Sequence, residues 1–357
     1  MTPAEPSSLR VLVFGAGAIG TYIGGSLALA GHSVTFIERP EAAGELRKRG
    51  LRLDLTLDKR RKARQAYLIE PSAVVIADSL EQALRYGPFD VGIFALKSYD
   101  TASALEEMKP HAGRLPPILC LQNGVENEPA LAADLGEEKV IAGTVTSAIG
   151  RRVVGDITLE RLRGVGIAAG HPLSERLVAA FNAAYLNAQA FPNAAAMKWS
   201  KMLTNLVANA TSAILDMPPS DILLHPGLYR LEMEQLREAL AVMEALEIPV
   251  VDLPGTPVRA LARVARLPGF LRPLVARVLG KGRGGKMPSF HIDLHAGRGK
   301  SEVNYLNGAV VRFGEKAGVP TPVNRLLTET LLALTRGEVP LEEYARKPER
   351  LLEHLAP

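Results

Sequence analysis

Residues 9–38 read LRVLVFGAGAIGTYIGGSLALAGHSVTFIE. An apolar, β-branched run ends at Phe14 and meets glycine at once. Gly15, Gly17 and Gly20 follow at GxGxxG spacing, and the apolar stretch Thr21 to Ala30 leads to Gly31, the expected C-cap of a helix. HSVTFIE then reads as a second strand. Strand, glycine turn, helix and strand within about 30 residues form the βαβ unit of dinucleotide-binding sheets. Each glycine has its own task in that unit. The first allows the tight turn, the second lets the backbone approach a pyrophosphate, and the third lets helix and strand pack closely, with the anion at the helix N-terminus. Gly15, Ala16, Gly17, Ala18, Ile19 and Gly20 are therefore the expected cofactor loop.

From Val11 to Ile37 there is no Lys, Arg, Asp or Glu. That length could pass for a membrane span. The run instead breaks into strand, turn, helix and strand, as a unit buried on both faces does. No membrane association is expected, and the start MTPAEPSSLR lacks the basic and apolar regions of a secretory leader. The one cysteine, Cys120, sits in the apolar run PPILCLQNG and should be a buried strand residue. With no disulfide framework, a cytoplasmic location is expected. Net charge is only +4 and aromatics are 5% of 357 residues, which argues against a nucleic-acid surface.

Outward from the opening unit, SAVVIA, FDVGIFAL, PPILCLQ and KVIAGTV are further strands, alternating with helical patterns such as SLEQALRYG. Pro40 to Gly50 suggests a short helix, and the basic run Lys59 to Arg64 a solvated surface. Alternation of this kind implies an α/β N-terminal Rossmann domain with a doubly wound parallel sheet, over residues 9–190. Beyond it, strand signals largely vanish, and an all-α C-terminal domain is expected over residues 191–357. Its helices are FPNAAAMKWSKMLTNLVANATSAIL, LYRLEMEQLREALAVMEALEI, SEVNYLNGAVVRFGEKAG and VNRLLTETLLALTRG. Near residues 252–288 lies a basic, proline-punctuated insertion with no acidic residue between Asp252 and Asp293. It suits one or two basic amphipathic helices on the surface, a lid over an anionic substrate or a membrane-surface contact.

Glu38 and Arg39 end the second strand, about 20 residues on from the glycines, where the ribose is discriminated. They pull in opposite directions. A carboxylate suits a free ribose 2′-OH, whereas a guanidinium suits a 2′-phosphate. Arg39 favours NADP(H). On the first helix of the second domain, Lys201, Asn205 and Asn209 fall at i, i+4 and i+8 among apolar neighbours, one polar row along a single face. Asparagine is a poor helix-interior residue, so its repetition calls for a reason. Hydride addition to a ketone leaves an alkoxide that needs a proton. A lysine ammonium, with a typical pKa of about 10.4, is charged at neutral pH and can supply it. Lys97 closes an apolar strand at the sheet's C-terminal edge, and Asn123-Gly124 follows the next strand.

VLVFGAGAIGTYIGGSLALAGHSVTFIER, DVGIFALKSYDT, LQNGVENE, KWSKMLTNLVANATSAIL and SEVNYLNGAVVRFGEKAGVPTPVN resemble, in order, segments of the ketopantoate reductases (2-dehydropantoate 2-reductases). The resemblance implies NADPH-dependent reduction of a small 2-oxo acid, ketopantoate to pantoate, in pantothenate and coenzyme A biosynthesis. It makes Lys201 the catalytic lysine, with Asn205 and Asn209 binding substrate. Lys97 and Asn123 match residues at the junction of cofactor and substrate. Glu302 matches a catalytic carboxylate that also borders the cofactor, Ser289 a serine for the substrate carboxylate, and Arg39 the 2′-phosphate ligand. No metal is expected, and a homodimer stays open. Three departures lie in the substrate half: Pro218 and Pro219 after the catalytic helix, one extra residue between Asp293 and Glu302, and the basic insertion. They leave a reductase or dehydrogenase of another 2-oxo or 2-hydroxy acid as the alternative, and a nucleotide sensor without turnover as a third reading.

Overall fold

The computed structural model describes residues 8–62, 65–267 and 286–355. The chain divides into two compact units, one of residues 1–122, 126–198 and 253–256, the other of residues 123–125, 199–252 and 257–357.

Among the described residues the strands, all in the first unit, are β1 Arg10–Phe14, β2 Ser33–Ile37, β3 Leu51–Asp54, β4 Tyr67–Ile69, β5 Val75–Ala77, β6 Val91–Phe94, β7 Ile118–Cys120, β8 Val140–Val145, β9 Ala148–Val153, β10 Asp156–Arg161, β11 Val165–Ala168 and β12 Ala188–Phe191. Eight make one sheet in the order β12-β11-β8-β7-β6-β1-β2-β5, parallel throughout except where β11 meets β8. Along β1, Val11 and Val13 enter one hydrophobic cluster, Leu12 and Phe14 the other. A strand buried on both faces has no place for a charge, which accounts for the uncharged opening. Strand order reverses at β1, with β2 on one side and β6 on the other. Ligands of open α/β sheets bind beyond the carboxyl ends of the strands at such a point. Cys120 is fully buried on β7, and burial pushes its thiol well above the usual range, so it is an inert packing residue.

A second sheet, in the order β4-β3-β10-β9, was not expected from the sequence. Its core pairing, β3 parallel to β10, joins segments about a hundred positions apart. The β9–β10 turn reaches the glycine loop, where the Gly155 N–H donates to the Ala16 carbonyl at 3.0 Å. The basic run is also corrected in part. Lys59, Arg60 and Lys62 are exposed as expected, but Arg61 is only 8% exposed. Its guanidinium donates to the Ala184 carbonyl at 2.7 Å and lies 3.6 Å from the buried Asp58 carboxylate. A buried charge is tolerated when it is both paired and hydrogen-bonded, as here.

The second unit is mostly helical. Pro226–Ala245 is its longest helix, packed against Asn307–Ala317 and Pro322–Arg336. A polar network runs through its core. Asn307 donates to Gln235 and to Asn324, each at 3.0 Å, and Glu238 accepts the Val323 and Asn324 N–H groups that open the helix Pro322–Arg336. Burial raises the Glu238 pKa despite these donors.

Two expected helices are interrupted. The stretch 191–215 forms Ala194–Leu206 and Ala210–Leu215, separated by Ala208 in the left-handed region at φ +55°. The Ala208 N–H leaves the helical ladder and donates to a carboxylate oxygen of fully buried Glu232 at 2.7 Å. Lys201 and Asn205 share a helix, but Asn209 does not lie on it. The three-residue row is thus a pair plus the cap of the next helix. The stretch 301–318 likewise starts as a 3-10 turn, Glu302–Tyr305, before Asn307–Ala317. In the basic insertion, Val258–Ala265 is helical, and any further basic helix falls within residues 268–285, outside the described residues. Among the described residues, no helix is long and apolar enough to cross a membrane.

Candidate active site

On the first unit, Gly15 closes β1 at φ +88°, a backbone conformation that glycine adopts without strain. Its N–H donates to the Ile37 carbonyl at 3.0 Å, which binds the turn to β2. The helix Ala18–Leu29 starts inside the motif, one residue after Gly17, with no acidic side chain in its first turn. Gly17, Ala18 and Ile19 are partly exposed, whereas Gly15, Ala16 and Gly20 are buried. A Cβ built on Gly17 would meet no atom closer than Arg151 Nη1, at 3.9 Å. The loop therefore offers an open backbone face at a positive helix end, which fits a pyrophosphate. Arg151, from the exposed face of β9, adds a guanidinium beside that face. No motif announces it. Only the pairing of β9 with β10 brings it there.

Glu38 and Arg39 behave differently from each other. One Glu38 oxygen accepts the Ala16 N–H at 2.8 Å, and the other accepts the Arg39 N–H at 3.1 Å. The carboxylate is thereby tied to the glycine turn. Arg39 is exposed and, like Glu38, borders a cavity of about 250 Å³ lined also by Phe14, Ile37, Leu96 and Ser103. Lys97 follows β6, half-buried, and its carbonyl accepts the Asp100 N–H at 2.9 Å to start a 3-10 turn. Behind it, Gln122 donates to the Leu96 carbonyl at 3.0 Å, and Thr101, Asn127 and Ser98 continue a buried polar chain. These four fix the ends of β6 and β7. Nothing in the sequence marked them out from ordinary loop residues.

On the second unit, Lys201 is partly buried on the helix Ala194–Leu206. One turn later Asn205 donates its amide to Asn123 Oδ1 at 2.9 Å, so two of the expected residues are brought together. Asn209, 7% exposed, accepts the Phe290 N–H at 3.2 Å, which sets it beside the exposed Ser289 at the start of the helix Ser289–His295. Glu302 is 4% exposed and opens its 3-10 turn just after Ser301, whose hydroxyl accepts the Val303 N–H. Glu232 organises the break between Asn205 and Asn209, accepting from Ala208, Thr211 and Gln235. Its replacement by alanine leaves buried donors unmet, each costing about 1–3 kcal/mol. We expect Glu232→Ala to lower the urea midpoint accordingly and Glu232→Gln to lower it less.

A glycine-loop sheet at a switch point, followed by a helical unit carrying a Lys and Asn face, defines a two-unit nucleotide-binding oxidoreductase. Comparison with known proteins narrows this. Residues 11–169 match the family model described as ketopantoate reductase PanE/ApbA, and residues 193–335 match that of its C-terminal domain. The chain belongs to the ketopantoate reductase PanE/ApbA family. It is 28% identical to the 2-dehydropantoate 2-reductase of Halobacterium salinarum over 330 residues, covering 90% of this chain and 97% of that one. With the same enzyme of Archaeoglobus fulgidus it shares 28% over 334 residues, covering 92% and 97%. The crystal structure of a family ketopantoate reductase from Ralstonia eutropha superposes with a TM-score of 0.76 at 28% identity, over 92% of this chain and 99% of that one. D-mandelate dehydrogenase, solved with NADH and anilino(oxo)acetate, shares the fold at a TM-score of 0.72 and 19% identity, over 92% and 99%. The family is one of pyridine-nucleotide-dependent reductases, and the chain is an oxidoreductase with a small-molecule substrate.

Proposed function

We propose that this chain reduces 2-dehydropantoate (ketopantoate) to pantoate with NADPH, in the cytoplasm. The observation that carries the reading is the face of Lys201 and Asn205, tied through Asn205 to Asn123, in a chain of this family. Bound at the glycine loop, the nicotinamide would supply hydride to the ketone carbon. Lys201 then protonates the oxygen and, before that, stabilises its developing charge. Asn205 holds the polar substrate, with its orientation fixed by Asn123. Asn209 and Ser289 serve the carboxylate end, and Glu302 accepts from the hydroxyl that forms. The test is initial-rate NADPH consumption with ketopantoate beside close 2-oxo acids. A better ratio of turnover to Michaelis constant for another acid would move the substrate. No consumption with any acid, despite NADPH binding, would support the sensor.

NADPH is favoured over NADH by Arg39. Glu38 accepts one backbone N–H on each oxygen and lines the same cavity as Arg39, so the preference rests on the guanidinium, whose planar fork suits a 2′-phosphate. A charge-assisted hydrogen bond contributes about 1.5–3 kcal/mol. Arg39→Ala should therefore raise the Michaelis constant for NADPH by roughly 10- to 100-fold and leave that for NADH nearly unchanged. Arg151 gives the matching contrast. A pyrophosphate is common to both nucleotides, so Arg151→Ala should weaken both by similar factors. Equal effects of the Arg39 change on the two nucleotides would refute the assignment.

A further inference from the structure

We propose that Asp216, His291 and His295 form a binding site for a divalent transition-metal ion of the zinc class. The three lie in the second unit, outside the residues assigned to turnover. His291 and His295 stand four apart on the helix Ser289–His295 and so share one face. Their rings lie 4.0 Å apart between centroids and are inclined by 32°. Facing them is one carboxylate oxygen, Asp216 Oδ1, at 2.8 Å from His291 Nε2 and 3.9 Å from His295 Nε2. One candidate ligand atom from each residue falls within 4.8 Å of the other two.

The donor set decides the class of ligand. Two imidazoles on one turn of helix with a carboxylate from elsewhere are the three-protein-ligand arrangement of open zinc sites. Bonds of about 2.0–2.1 Å from a tetrahedral centre place ligand atoms roughly 3.4 Å apart. The two oxygen-to-nitrogen spacings lie on either side of that value, so small side-chain rotations would seat an ion. Imidazole and carboxylate together suit Zn²⁺, Co²⁺ or Ni²⁺, whereas Mg²⁺ and Ca²⁺ prefer oxygen alone. The backbone contributes too. Asp216 caps the helix Ala210–Leu215 in the left-handed conformation, φ +48° and ψ +47°, which aspartate tolerates better than most residues.

The place of the site in the fold gives the ion a role. Asp216 ends the helix that Asn209 begins, and His291 lies two residues after Ser289. The other link near this point is the hydrogen bond from the Phe290 N–H to Asn209. An ion held by Asp216 and both histidines would clamp these two segments a second time and brace the pair Asn209 and Ser289. Three protein ligands leave one position open for water or a small anion.

The test uses the full-length chain, purified with chelator and then dialysed against Zn²⁺ alone. Tight binding of one equivalent is expected, with a rise in melting temperature that chelator reverses. His291→Ala, His295→Ala and Asp216→Asn should each weaken that equivalent at least 10-fold, while melting without metal stays near the parent value. Co²⁺ in place of Zn²⁺ should give the visible absorption of a four-coordinate ion, lost in His295→Ala. Absence of a saturable equivalent, or equal uptake by the parent and all three variants, would overturn the site and leave Asp216 and His291 as a plain hydrogen-bonded pair. Since metal uptake and melting are read without turnover, failure here leaves the proposed reaction standing, and failure of that reaction leaves this site standing.

Discussion

Lys201→Ala is expected to reduce turnover with ketopantoate by roughly 100- to 1000-fold, the usual loss on removing one donor to a developing oxyanion. The chain should still fold and still bind NADPH. Lys201 is only partly buried, and alanine is the best helix former for that position. The hydrogen bond that the Thr204 hydroxyl makes to it uses the backbone carbonyl, which the substitution keeps. The control lies one turn earlier. Lys198 is 5% exposed, sits 2.6 Å from the Glu128 carboxylate and donates to the Gln122 and Gly143 carbonyls. Removing it strands a buried carboxylate, which costs about 3–5 kcal/mol. Lys198→Ala should therefore show itself as a lower melting temperature, and Lys201→Ala as a lower turnover number at nearly constant melting temperature. If turnover in the Lys201 variant matches the parent, or falls only as far as its folded fraction does, the lysine is not the proton donor.

The contrast between these two lysines shows what could be read from sequence. KWSK presents both as equals, and it was the polar row with Asn205 and Asn209, strengthened by the family resemblance, that singled out Lys201. The opening βαβ unit was legible because its signals are local: β-branched runs, glycines at fixed spacing and a closing Gly31. The second sheet was not: LRLD and DITLER do alternate apolar and polar residues, but both runs are short, and β3 and β10 pair about a hundred positions apart, which no local pattern announces. The break at Ala208 was hidden for a similar reason. No glycine or proline marks it, and the group that draws off its N–H, Glu232, lies 24 residues away. The polarity of Asn209 among apolar neighbours was legible, but the expected row placed it on the wrong element. Burial of Arg61 was hidden because the Ala184 carbonyl that takes its guanidinium is brought there only by tertiary folding, although Asp58 lies just three residues before it.

Gly20→Ala should remove both stability and nucleotide binding, and a comparison with Gly17→Ala separates the two losses. A Cβ on Gly20 would lie 1.9 Å from the Gly15 carbonyl oxygen and 3.3 Å from Val13 Cγ1. The carbonyl cannot simply swing away. Gly15 is held by its bond to Ile37, and the next residue, Ala16, accepts from Thr21 and Gly155 and donates to Glu38. Relief requires helix and strand to part by more than an ångström. Overpacking of this kind typically costs about 1–3 kcal/mol, and a displacement of about 1 Å in a positioning element can lower the rate roughly 100-fold. Gly17 differs in each respect. Its backbone, φ −68° and ψ −166°, is open to any residue, and a methyl there would meet only Arg151 at 3.9 Å. Gly17→Ala should therefore melt like the parent and yet bind NADPH at least 10-fold more weakly, because the methyl occupies the face that the phosphates approach. Melting curves and nucleotide titrations on the two variants decide this. Unchanged nucleotide affinity in Gly17→Ala would mean that the pyrophosphate does not lie on this loop, and the cofactor assignment would fail at its root.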